Sequence, residues 1–148
     1  MLSCNNNSTT PLNATQLTVA KDSTALLMDS IAQDITHDGP TAWLKYFENT
    51  PTFFMAADGQ LAFANNDSAT NFIRHILAKN IKAITLRWNN VRIDPLTASL
   101  ASIGADYHED ITDFSSKTTP YEGYFTAIAE QTPQGWKLRN LHWSQKAK

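Results

Sequence analysis

Apolar and polar positions alternate most regularly in the last quarter of the chain. Tyr121-Glu122-Gly123-Tyr124-Phe125-Thr126-Ala127-Ile128-Ala129-Glu130 leads to a Pro133-Gln134-Gly135 turn and then to Trp136–Ser144. Two period-two runs joined by a glycine-bearing turn predict an antiparallel hairpin. Trp136, Leu138, Asn140, His142 and Ser144 share one parity, and so one face of the second strand. Ile81–Ile93 and Ala98–His108 read as two further strands separated by the Asp94-Pro95 break. The polar stretch Glu109–Pro120 reads as a long connection.

The first half carries the longer helical period. From Thr18 to Thr36, Leu27, Ile31 and Ile35 fall four apart with Met28 beside them, which predicts a helix with one buried stripe. Asp22, Asp29, Gln33 and Asp34 then face outward, and His37-Asp38-Gly39 ends the helix. Pro40 suits the first position of a short second helix rich in aromatics: Trp43, Tyr46 and Phe47. Phe53–Phe63 predicts a strand pair turning at Asp58-Gly59. Asn66 or Asp67 caps a third helix, with Ala69, Phe72, Ile73, Ile76 and Leu77 as its buried face and Lys79-Asn80 as its end. Residues 1–17, rich in Asn, Ser and Thr, read as a flexible arm, and 18–148 as one domain. Helices before an unbroken run of strands predict an α+β fold: a cone-shaped barrel in which a strongly curved antiparallel sheet wraps the N-terminal helices.

Composition narrows the function classes. The 148 residues are 42% hydrophobic and 10% aromatic, so the chain can bury a globular core. A net charge of −2, with its 12 basic residues scattered, disfavours nucleic acid as a partner. No apolar stretch approaches the roughly 20 residues that span a bilayer. The single cysteine, Cys4, rules out an intrachain disulfide and a Cys-based zinc site. Met1-Leu2-Ser3-Cys4 before an Asn/Ser/Thr-rich run resembles the end of a bacterial lipoprotein signal, without the charged and apolar segments that precede its cysteine. The domain is then either tethered to a bacterial envelope through Cys4 or cytoplasmic with an exposed thiol.

Gly123-Tyr124-Phe125-Thr126, the turn, Gly135-Trp136-Lys137-Leu138 and His142-Trp143-Ser144 together resemble the closing strands of SnoaL-like proteins of the nuclear transport factor 2 superfamily. The order helix, aromatic helix, hairpin, helix, four strands is similar from Val19 to Ser144. The resemblance implies a cone with an apolar pocket, and a homodimer formed through the outer face of the sheet. Its members include ketosteroid isomerases, polyketide cyclases, dehydratases and non-catalytic proteins. The isomerase's tyrosine-and-two-aspartates pattern is not matched here.

Within such a cone, His142 is the candidate acid or base, because it lies on the Trp136–Leu138 face and an imidazole can donate or accept a proton. The alternative for it is a histidine that merely completes the core. Tyr46 is the candidate oxyanion or orienting donor, since a buried phenol needs a partner. Trp43, Phe54 and Trp88 are the expected walls of the ligand site, or else core. Asp106 and His108 share a face opposite Ala101, Ile103, Ala105 and Tyr107, and so point to solvent. Glu109, Asp110 and Asp113 lack the register of a calcium loop and read as a solvated segment. No phosphate loop, nucleophile elbow or His-Glu-x-x-His motif is present, so neither a metal nor a cofactor is expected. Two functions remain: a binder of small apolar or aromatic molecules, with cofactor-free isomerase-, dehydratase- or cyclase-type proton transfer, or a non-catalytic dimeric interaction module.

Overall fold

The computed structural model of the protein describes residues 12–148. Cys4 and the greater part of the expected arm lie outside the described residues. Asn13 caps the first helix, α1 (Ala14–Asp38), through a reciprocal pair of bonds with Gln16, so the helix starts before the expected Thr18. Its buried stripe is the expected one, Leu27, Met28, Ile31 and Ile35, extended by Ala20 and Thr24. Thr24 is buried without penalty because its hydroxyl donates to the Ala20 carbonyl at 2.7 Å. Gly39, at φ 82°, stops the helix. Pro40 then opens a 3-10 helix (Pro40–Lys45) rather than an α-helix.

The strands β1 (Phe54–Ala57) and β2 (Gln60–Phe63) form the expected hairpin, and Asp58 and Gly59 both take positive φ at its turn. Asn65, one residue before the expected caps, starts α2 (Asn66–Phe72), closing a capping box with Ser68. The helix continues as a π-helical turn (Ile73–Leu77) and a last turn (Ala78–Asn80). A π turn inserts a residue into the hydrogen-bond ladder and so rotates the later side chains about the axis. Ile73 stays buried, while Ile76 is turned out to 51% exposure against the regular 3–4 pattern.

Four long strands complete the chain: β3 (Ile81–Pro95), β4 (Leu100–Asp113), β5 (Thr118–Thr132) and β6 (Gly135–Gln145). The six strands make one curved sheet in the order β2-β1-β6-β5-β4-β3. It is mixed rather than wholly antiparallel, because β1 runs parallel to β6, pairing Phe54 with Asn140 and Ala57 with Trp143. The expected long connection is largely strand. β4 runs to Asp113, β5 begins at Thr118, and the tight turn between them is tied by Asp113, whose Oδ1 accepts from Ser115 and Lys117. Those same bonds hold the Asp113 carboxyl below its ordinary pKa.

The core lies between α1, the 3-10 helix and the concave side of the sheet. Ala101, Ile103, Ala105 and Tyr107 of β4 fill it as their parity predicts, and Asp106 and His108 point away. One irregularity decides the site. Between Ile128 and Ala129 the pairing with β6 shifts by a residue: Ala129 faces Leu138 while Ile128 faces Asn140, leaving Arg139 as a bulge. Beyond it the parity of β6 is reversed, so that Leu138 and Leu141 are both buried. No helix among the described residues is long and apolar enough to cross a membrane.

Candidate functional site

The concave sheet face, the 3-10 segment and α2 enclose a pocket of about 200 Å³. Trp43 and Phe47 come from the 3-10 segment and its end, Met55, Ala57 and Phe63 from the hairpin, and Phe72, Ile73 and Leu77 from α2 and its π turn. The sheet contributes Ile84, Glu109, Ile111 and Trp143. The aromatic walls brace one another. Trp43 meets Trp143 edge-on at 5.6 Å and stacks with Phe47 at 5.7 Å, and Phe63 packs on Phe72 at 5.3 Å.

Among the described residues, Glu109 is the one ionisable side chain on this lining. It sits on β4 with the inward parity of Ala105 and Tyr107, paired with Leu86 on one side and Tyr121 on the other. Burial pushes its pKa up to about 7, since among the described residues neither a cation nor a hydrogen bond compensates the charge. Near neutral pH the carboxyl is therefore divided between its acid and base forms, against an apolar wall. Such a group can take a proton from a weakly acidic C–H or return one. Tyr107, two residues earlier, is only 6% exposed. Burial, then the charges of Glu109 and Asp58, raise its phenol to about 12, so it remains a neutral donor.

Of the residues expected from sequence to form the site, the pocket includes only Trp43. His142 is exposed on the other face of the sheet, because the Arg139 bulge turns Trp143 inward in its place. Phe54 is 41% exposed, and its neighbour Phe53 is the fully buried ring. Phe54 and His142 together border a shallow outer depression with Ser102, Thr126 and Asn140. Tyr46 is buried away from the pocket, and its hydroxyl donates to the Asp34 carboxylate of α1. Burial and that bond raise the Tyr46 pKa, and Lys45 and Tyr46 together lower that of Asp34. Trp88 is half-buried and packs against the core, outside the pocket: its indole donates to the Met28 carbonyl at 3.0 Å and its ring packs on Phe125 at 5.0 Å.

Ending β4 at His108, as the acidic residues beyond it suggest, leaves Glu109 out of the strand. The alternation Ala101, Ile103, Ala105, Tyr107 nonetheless continues through Glu109 to Ile111, so the sequence holds the signal. Trp143 has no comparable signal, because nothing in Lys137-Leu138-Arg139-Asn140 marks a bulge.

Among solved structures, a nuclear transport factor 2-like superfamily protein from Salmonella enterica serovar Typhimurium superposes with a TM-score of 0.72 at 18% identity, over 88% of this chain and 93% of its own. The chain has the nuclear transport factor 2-like fold. A scytalone dehydratase candidate from Novosphingobium aromaticivorans matches with a TM-score of 0.74 at 11% identity, covering 88% of this chain and 86% of that one. The hexachlorocyclohexane dehydrochlorinase LinA-type3 from Novosphingobium barchaimii matches at 0.68 and 9% identity, over 88% of each chain. No family model matches the sequence, and no curated protein sequence does. What these comparisons share with the chain is the fold.

Proposed function

We propose that the protein binds a small apolar or aromatic molecule beneath Trp43 and Trp143 and moves a proton on it without a cofactor, with Glu109 as the general base. The observation that carries this reading is a lone, desolvated carboxyl on an otherwise apolar pocket wall. An apolar cavity of about 150 Å³ takes a benzene ring, so a pocket of about 200 Å³ suits one ring or a short acyl chain. The dehydratase and dehydrochlorinase among the structural neighbours both carry names of elimination reactions, which begin or end with a proton leaving carbon, and this is consistent with the reading.

The test is exchange of the α-protons of cyclohexanone in D2O, monitored by proton NMR. Wild type accelerates exchange with a rate that rises through about pH 7, and Glu109→Gln loses it by roughly 10²–10⁴-fold. Wild-type exchange at the buffer rate, or full activity in the variant, refutes the role of Glu109.

One observation favours the second reading, a non-catalytic dimeric module. The pocket, at about 200 Å³, is smaller than the roughly 300–1,000 Å³ of ordinary ligand sites. In that reading the outer sheet face around Phe54 and His142 forms the homodimer contact, and light scattering of the wild type against Phe54→Asp tests it.

A further inference from the structure

A second cluster lies beside the β5–β6 turn, apart from Glu109. It opens as a depression of about 660 Å³, with Glu48 and Glu130 in its wall and Gln131 to Gln134 along one rim. Glu48 is 7% exposed, and its Oε2 has no hydrogen-bond partner among the described residues. Glu130 lines the same depression, and burial, then the neighbouring Glu130 carboxyl, raises Glu48 to about 7. Among the described residues, none of the nearby cations bonds the Glu48 carboxyl. Arg139 Nη1 donates to Glu130 at 3.0 Å, Lys45 Nζ lies 2.6 Å from Asp34, and Lys137 Nζ donates to the Lys45 carbonyl.

A buried acceptor left without a donor costs the fold free energy that a ligand can recover. Glu48 Oε2, beside a second carboxyl on the same wall, calls for a donor that carries positive charge. An ammonium has three N–H donors and no acceptor, and charge-assisted bonds of this kind are roughly twice as strong as neutral ones. The side chains of Leu44 and Pro133 on the same wall would lie against an alkyl tail.

We infer that the depression walled by Glu48 and Glu130 is a binding site for a small primary alkylammonium, whose N–H donors reach the unpartnered Glu48 carboxyl. Glu48 gives up its proton to solvent, its carboxylate accepts from the ammonium, and Arg139 stays on Glu130. Glu130 of β5, Arg139 and Lys137 of β6, and Lys45 are the charged groups around Glu48. Binding is then linked to the ionisation of Glu48. An acid titrating at about 7 is about tenfold more ionised at pH 8 than at pH 6, and the affinity follows that ratio.

The experiment is a titration of the ¹⁵N-labelled full chain with n-butylammonium chloride, and with 1-butanol as its neutral counterpart, at pH 6 and pH 8. The expected result is saturable shifts of the Glu48, Gln131 and Gln134 amides by butylammonium alone, with affinity about tenfold higher at pH 8. Calorimetry in two buffers of different ionisation enthalpy then shows proton release. Glu48→Gln, which keeps the shape and removes the charge, weakens binding at least tenfold, and Glu130→Gln does the same, with melting curves showing both folded. Absent saturation, equal shifts by 1-butanol, equal affinity at the two pH values, or unchanged binding by folded Glu48→Gln overturns the site.

Discussion

Replacing Glu109 by Gln removes the charge from the pocket and keeps the side chain's size. In the folded protein the carboxyl titrates at about 7 instead of its ordinary 4.5. Because the folded pKa is the higher one, the folded chain keeps a proton that the unfolded chain has already lost. Wild-type stability therefore falls as pH rises from about 4.5 through about 7, and then levels. At about 1.4 kcal/mol per pH unit, the ionised carboxylate costs the folded state on the order of 3 kcal/mol above pH 8. For a domain of this size that is a melting-temperature difference of roughly 10 °C. The assay is calorimetric melting of wild type and Glu109→Gln between pH 4 and pH 9. The two curves coincide near pH 4 and diverge toward pH 8, with the variant the more stable. Glu48 titrates in both proteins, so the difference between them isolates Glu109. Melting temperatures that stay together across the range refute a desolvated Glu109.

Other substitutions separate pocket from frame. Trp143→Ala removes the ring against which Trp43, Trp88, Tyr107 and Phe125 all pack, and costs about 3–5 kcal/mol by chemical denaturation. His142→Ala, on the exposed outer face, changes stability by no more than about 0.5 kcal/mol and leaves cyclohexanone exchange intact. Tyr46→Phe loses the bond to Asp34, lowers the melting temperature, and leaves the exchange rate unchanged. Gly59→Ala forces a side chain into φ 82° at the hairpin turn and destabilises by about 1 kcal/mol in the same denaturation assay.

The parts of the fold that repeat regularly are legible in the chain. The stripe of α1, the Asp58-Gly59 hairpin, the aromatic segment after Pro40 and the alternation of β4 each arise from local periodicity or turn chemistry. Three local features hide the site. Arg139 is one extra residue in β6, and it exchanges His142 for Trp143 on the inner face. The π turn after Phe72 displaces Ile76 from the buried face in a similar way. At Glu109 the parity is regular, but the acidic run Glu109-Asp110 suggests solvent and disguises the continuation of β4. Phe53 and Phe54 show the general limit: adjacent aromatics at the start of a short strand give no local clue to which one faces the core. The parallel pairing of β1 with β6 settles it, and that pairing joins residues more than half the chain apart.

The central claim is an apolar pocket with a poised carboxyl, and ¹³C NMR titration of the Glu109 side-chain carboxyl tests it most directly. It is measured in the free protein and again with saturating fluorobenzene. The account predicts a midpoint of about 7 in the free protein, raised further when the ligand displaces the remaining water around the carboxylate. A midpoint near 4.5, or one that saturating fluorobenzene leaves unmoved, contradicts it.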